Sequence, residues 1–354
     1  MFKRIITASI LLCLLFITPK IVGAQSEETF EGKVVRIIEE EGYYQKLDIK
    51  ATSGTYKNSN LIVENGMYAT SDIFKYKVGD SVVLASSSVD DGEELFVILD
   101  HIRRPALGYL FTIFVVLAVL VAGKWGLYSI LGMAYSFYVI FVFILPMIIK
   151  GYNPVLTAIV GSLFIIPVTF GLSHGLNRKT IVAMLGTFIS MILVGILSLV
   201  FVSLAKLTGF AAEEASFLQY QLGEMINLKG ILLAGIIIST LGVMDDITVS
   251  QASVVAELKS ANPKLSKKEL FVRSMRVGKD HIASLVNTLV LVYTGASLPL
   301  LLLFVNNPHP FLEVINYEIV AEEIVRTLVG SIGLVLAVPI TSFIAAYYAL
   351  KIKK

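Results

Sequence analysis

Two adjacent carboxylates, Asp245 and Asp246, stand inside a long apolar stretch, and they are the residues in this chain with the most to offer chemically. Between Ile231 and Ala256 they carry the only formal charges. An ionised Asp at the centre of a membrane helix costs about 3 kcal/mol on insertion scales, and more by simulation. A chain that keeps two together either holds them out of lipid or uses them to bind an ion or proton. Neighbouring side chains on an ideal helix diverge by about 100°, so the pair cannot face one partner from a regular helix. Gly242 and the run Thr248, Ser250, Gln251 and Ser253 therefore predict a broken or re-entrant helix whose freed backbone groups are buried in protein. The alternative is a span that ends at Met244 and leaves both acids in the cytoplasmic headgroup region.

A second polar group follows. Arg276, Asp280, Ser284, Asn287, Leu291 and Thr294 recur at steps of three or four, which places them on one helical face. Polar residues in a span turn toward the bundle interior. Asp280, Ser284, Asn287 and Thr294 are thus expected to line an ion or substrate pathway with Asp245 and Asp246, or else to serve as interhelical hydrogen bonds without transport. Glu322 and Arg326 are four apart in the favourable order for a helical ion pair, a structural pairing.

Other chemistries lack their residues. There is no phosphate-binding Gly-Lys loop, no zinc-protease His-Glu motif and no serine nucleophile elbow. An intramembrane aspartyl hydrolase needs two opposed acids, and only one convincing intramembrane position is present. The four histidines, His101, His174, His281 and His309, show no ligand spacing, and Cys13 is the single cysteine. No enzyme activity, cofactor or metal is expected. The net charge of +2 gives no sign of a nucleic-acid partner, and none is expected.

These groups need a scaffold. The chain has 354 residues, 56% apolar and 16% charged, with a mean hydropathy of +0.78. Soluble domains are nearer ~45–50% apolar and ~25% charged, so this composition reads as an α-helical polytopic membrane protein in contact with the lipid bilayer. Lys3-Arg4, the apolar run Ile5–Ile17 and the small residues Val22-Gly23-Ala24 predict a signal peptide over residues 1–24, or an uncleaved signal anchor. Residues 25–104 are polar and turn-rich. Five β-like runs, Lys33–Ile38, Lys46–Ala51, Asn60–Val63, Ser81–Ala85 and Leu95–Leu99, predict a small all-β extracytoplasmic domain, a closed barrel of the OB or SH3 kind. Tyr43, Tyr44 and Tyr56 are candidates for a binding face on it.

Residues 105–354 form the multi-helix membrane domain. A span needs ~20 apolar residues. Seven are expected: 106–123, 126–149, 154–173, 180–205, 230–256, 281–305 and 323–350. With residues 25–104 outside, the inside loops hold Lys124, Arg178, Lys179, seven Lys or Arg within 257–280, and the C-terminal Lys351, Lys353 and Lys354. Outside loops hold Lys150, Lys206 and Lys229, with Arg103-Arg104 before the first span. That bias follows the positive-inside rule and puts the C-terminus in the cytoplasm. Ser266-Lys267-Lys268-Glu269 matches a capping box, so a short interfacial helix should follow, with Leu270, Phe271 and Met275 on the bilayer.

The run Leu241-Gly242-Val243-Met244-Asp245-Asp246-Ile247-Thr248 resembles the YibE/F-like family of bacterial multipass membrane proteins. Arg276-Val277-Gly278-Lys279-Asp280, Asn287-Thr288-Leu289, Thr294-Gly295, Glu323-Ile324-Val325-Arg326 and Val338-Pro339-Ile340-Thr341 extend the likeness from about Pro105 to the C-terminus. The resemblance implies a multi-pass protein of the bacterial cytoplasmic membrane, with Asp245 as the carried-over acid. Asp246 stands where the family usually has a small or apolar residue. Members occurring beside a shorter relative imply a paralogous membrane subunit as partner. The expected function is a transporter or permease-like protein for an unknown small solute or ion. The alternative is a non-transporting scaffold of cell-envelope assembly whose exported domain binds a partner.

Overall fold

Short runs rich in β-branched and other apolar residues, separated by turns, build the N-terminal part. In the computed structural model, which describes residues 29–66, 74–88, 94–211, 213–222, 226–305 and 310–349, these residues form two compact units divided between Leu117 and Ala118. The expected signal peptide or anchor at 1–24 and the C-terminal lysines lie outside the described residues. The first unit holds five antiparallel strands, β1 (Thr29–Glu41), β2 (Tyr44–Ala51), β3 (Asn60–Asn65), β4 (Ser81–Ser88) and β5 (Glu94–His101), in the order β3-β2-β1-β4-β5. Each expected strand falls inside an observed one. The inward residues Phe30, Val34, Leu47, Ile49, Val63, Val82 and Leu84 make the core. Register shifts after Val34 and Ile37 bend β1, so the sheet curls. It does not close: among the described residues β3 and β5 are not hydrogen-bonded to one another, and the expected barrel is a half-barrel. The three tyrosines do not share a face. Tyr56 packs on Phe30 and Phe96 at 4.9 and 5.1 Å, whereas Tyr43 is exposed.

The second unit is helical. Its elements are α1 (Arg104–Ala122, begun in the first unit), α2 (Lys124–Ile149, with a π turn at Ile140–Ile144), α3 (Pro154–His174), α4 (Arg178–Leu204), α5 (Glu213–Leu222), α6 (Leu228–Ala261), α7 (Lys267–Ala296), α8 (Leu298–Val305), α9 (Phe311–Val314) and α10 (Glu318–Ile344, running on to Tyr347). Local sequence sets the helix starts. Asn153, Asn177 and Asn227 accept the exposed N–H groups of Val155, Thr180 and Gly230 at 2.8–3.0 Å. Ser266 and Glu269 form the expected capping box.

Among the described residues six helices, α1, α2, α3, α4, α6 and α10, are long and apolar enough to cross a membrane, and the chain is a multi-pass membrane protein. The expected span 281–305 is not among them. Its helix ends at Ala296, only 16 residues after the charged Lys279-Asp280, and Pro299 lies in the first turn of α8. Yet α7 does run alongside α10. Phe271 meets Phe343, Gly278 abuts Val338, and Tyr293 approaches Gly330. α7 and α8 therefore return the chain from the end holding Ala261 to the end where α10 begins. The short interfacial helix is also corrected. After its capping box the helix continues for 30 residues, with Leu270 buried and Phe271 and Met275 packed on the bundle core, because the core of α4, α6 and α10 offers them an apolar wall.

The core of this unit joins α3, α4, α6 and α10 through Ile236, Ile237, Met244, Ile247, Val194 and Leu334. It carries buried hydroxyls among them. Thr187 and Thr248 are 2.7 Å apart, and Ser342 donates to Gln251 Oε1 at 2.9 Å. At the end where α10 starts, Glu318 Oε1 accepts the Thr208 N–H, the Thr208 hydroxyl at 2.7 Å and the Gly209 N–H at 3.1 Å, which ties the loop after α4 to α10.

Candidate functional site

α6 is one unbroken helix of 34 residues. This corrects the expected break at Gly242. The hydroxyls that suggested a break instead bond back to their own helix, Thr248 Oγ1 to Asp245 O at 3.1 Å and Ser253 Oγ to Val249 O at 2.7 Å. Asp245 and Asp246 consequently point apart. Asp245 is half-buried and Asp246 exposed, with the Asp246 N–H donating to Asp245 Oδ1 at 2.8 Å.

Both nevertheless line one cavity of about 480 Å³ between α2, α3 and α6. Gly242 opens it, since a methyl group there would meet nothing within 4 Å. The opposite walls carry Ser129 and Ser136 from α2 and Thr169, Ser173 and His174 from α3. Ser129 and Ser173 face each other at 3.3 Å. Gly132, between the two serines, lets α2 approach α3: its Cβ position lies 3.6 Å from Thr169 Cα. Ser136 and Thr169 donate to backbone carbonyls of their own helices, leaving their oxygen lone pairs as acceptors. The cavity thus offers anionic and neutral oxygen ligands and one imidazole, a set suited to a proton or small cation. Among the described residues no three His, Cys, Asp or Glu side chains converge closely enough to hold a metal ion.

The depth follows from helix geometry. Pro154 abuts Gly230, so α3 and α6 start level. Asp245 lies 17 residues beyond Leu228, or ~26 Å at 1.5 Å per residue. A hydrocarbon core is ~30 Å thick. The acids share their cavity with Thr169 and His174, in the last two turns of α3, nearer the basic end of the bundle than its middle.

The remaining sequence candidates lie elsewhere. Asp280, Ser284, Asn287 and Thr294 occupy an exposed face of α7, and the structure does not bring them to the cavity. The face of α7 turned to the bundle carries Leu270, Ser274, Gly278 and Leu289 instead. The expected Glu322–Arg326 pair is corrected as well. Arg326 Nη1 bonds Glu323 Oε1 at 3.1 Å, because three residues also closes one helical turn and Glu323 shares the outward side of α10 with it. Glu322 turns inward, only 6% exposed, and its Oε1 has no hydrogen-bond partner.

Ser129, Ser136, Thr169, Ser173 and His174 were not singled out from sequence. Their spacing carried a signal: Ser129, Gly132 and Ser136, like Thr169 and Ser173, fall on single helical faces of apolar spans. No curated protein and no solved structure matches the chain. The family model described as YibE/F-like protein matches residues 110–351, which include every wall of this cavity, and the chain belongs to the YibE/F-like family.

Proposed function

We propose that this YibE/F-like protein is a permease-like transporter of the cytoplasmic membrane, with a cation- or proton-binding site at Asp245 and Asp246. One observation carries the reading. Three apolar helices bring two carboxylates, an imidazole and several hydroxyls into one cavity, where simple packing would favour closure and apolar side chains. A volume of about 480 Å³ accommodates an ion with part of its water shell, each water occupying ~30 Å³. The charge bias of the loops supports an orientation with the basic end in the cytoplasm and residues 25–104 outside. On that orientation the acids lie toward the cytoplasmic side. Asp245, half-buried, holds the ion, and His174 across the cavity exchanges protons with it.

The test uses the full chain in liposomes loaded with a pH-sensitive dye, under imposed Na⁺, K⁺ or Mg²⁺ gradients. The unmodified chain should couple one of these gradients to proton movement, and Asp245→Asn should abolish the signal while membrane insertion stays intact. No coupled flux in the unmodified chain, or equal flux in the variant, defeats the proposal. Deleting residues 25–104 separates it from the scaffold alternative: a transporter keeps basal flux, whereas a scaffold loses its partner binding and shows no flux in either form.

A further inference from the structure

Beside the start of α7 a crevice of about 510 Å³ is walled by Ile189 of α4, Phe271 of α7 and Pro339, Ile340, Phe343 and Ile344 of α10. Every residue that lines it is apolar. Ile189 and Phe343 are exposed, so the crevice opens on the outside of the bundle, between two helices able to cross a membrane. A cation marks one end of it. Lys267 Nζ lies 5.9 Å from the centre of the Tyr347 ring, and Tyr347 stacks on Phe343 at 4.5 Å. Lys267 also precedes Phe271 by one helical turn, on the same side of α7, and Phe271 meets Phe343 edge-on. Lys267 is exposed and has no carboxylate partner among the described residues. Glu269, the acid of that first turn, lies about 200° round the helix and is held by the Ser266 N–H and hydroxyl.

The two ends of the crevice differ in depth. Tyr347 closes the candidate span Glu318–Tyr347, and Pro339 stands two helical turns before it, ~12 Å along α10. The hydrocarbon of one leaflet is ~15 Å thick, half of a ~30 Å core. The apolar wall therefore runs through most of one leaflet, with the ammonium of Lys267 at the headgroup end.

We propose that this crevice holds an anionic phospholipid of the leaflet at the basic end of the bundle, with an acyl chain against Phe271, Phe343 and Pro339 and the phosphate on Lys267. The wall selects the occupant. Helices that associate within a membrane meet through small or hydrogen-bonding residues, and this wall has no Gly, Ala, Ser or Thr. A polar solute finds no donor or acceptor in it. A hydrocarbon chain fits it without loss. The unpaired Lys267 at headgroup level, with the exposed Lys268 beside it, favours a negative head over a neutral one.

The test removes the single tryptophan by Trp125→Phe and reports on the crevice with Phe343→Trp in the full chain. The protein is placed in vesicles of phosphatidylcholine and phosphatidylglycerol, with bromine on the acyl chains of one lipid or the other. Bromine quenches an indole that it touches. Phosphatidylglycerol should bind beside the reporter about fivefold more strongly than phosphatidylcholine, the effect of one lysine. Lys267→Gln should bring that ratio close to one. Arg273→Gln, exposed on another side of α7, should leave it in place. Should Phe343→Trp fail to fold, Ile189→Trp reads the opposite wall and decides the same question. Equal quenching by the two lipids, or a preference that survives Lys267→Gln, overturns the proposal. So does equal loss in Lys267→Gln and Arg273→Gln, since diffuse charge and not a site would then attract the lipid. A reporter that neither lipid reaches overturns it too, because a protein partner would then cover the crevice.

Discussion

Gly278 is the point where α7 is held to the bundle, and replacing it gives a measurable consequence. A Cβ at Gly278 would lie 2.5 Å from Val338 Cγ1 and 3.2 Å from Gln251 Nε2. Carbon atoms pack at ~3.5–4.0 Å, so the valine methyl would have to retreat by about 1 Å. Val338 is 0% exposed and β-branched on a helix, where one rotamer holds ~90% of the population, so rotation offers no escape. The helices must part instead. Overpacking of this kind costs about 1–3 kcal/mol, and Gly→Ala returns about 1 kcal/mol of helix propensity. Gly278→Ala should therefore destabilise the protein by about 0–2 kcal/mol. Val338→Ala alone should cost about 1 kcal/mol, because lipid-embedded bundles lose packing on truncation rather than hydrophobic transfer energy. In the double variant the collision is gone and the propensity gain remains. It should be more stable than the sum of the two single changes by at least ~1 kcal/mol. Denaturant titration of the full chain in mixed micelles, read as a double-mutant cycle, measures this. Additivity within about 0.5 kcal/mol would refute the close α7–α10 approach, and with it the outward direction of the α7 face that carries Ser284 and Asn287.

Three further outcomes follow from local features. Ser266→Ala removes the side-chain half of the capping box, in which Ser266 Oγ accepts the Glu269 N–H at 3.2 Å; the first turn of α7 should fray, costing about 1 kcal/mol, visible as faster hydrogen exchange at residues 267–270. Gly66 has a φ of +81° and sits against the Tyr43 carbonyl, so Gly66→Ala should destabilise the β domain by more than ~1 kcal/mol and raise its protease sensitivity in the full chain. The Arg103 guanidinium and the His101 N–H hold the Asp100 carboxyl below its ordinary value. A depressed carboxyl stabilises the folded domain above its unfolded-state value near 4 and loses that contribution as pH falls through the folded value. Protease resistance of the β domain should thus decline on acidification below about pH 4. Asp100→Asn should flatten part of the decline, and an unchanged profile would show that the contact carries no weight in the folded domain.

What the sequence determined rests on short-range physics. Apolar length set the membrane class, and the Ser266–Glu269 capping box marked where α7 begins; the asparagines that start α3, α4 and α6 act through equally local bonds. Short β-like runs between turn signals marked all five strands. Those features depend on a residue and its near neighbours, so they can be read along the chain. Whether the strands closed could not be read, because closure depends on two edges meeting far apart in sequence. The direction of the α7 stripe was inverted for a related reason. Periodicity shows that residues share a face, but only packing decides which face the bundle takes, and Gly278 and Leu289 won that contact over Ser284 and Asn287. Asp245 stood out by its charge. Its cavity partners did not, since serines and a histidine are cheap in any helix until the tertiary fold turns three of those helices toward one space.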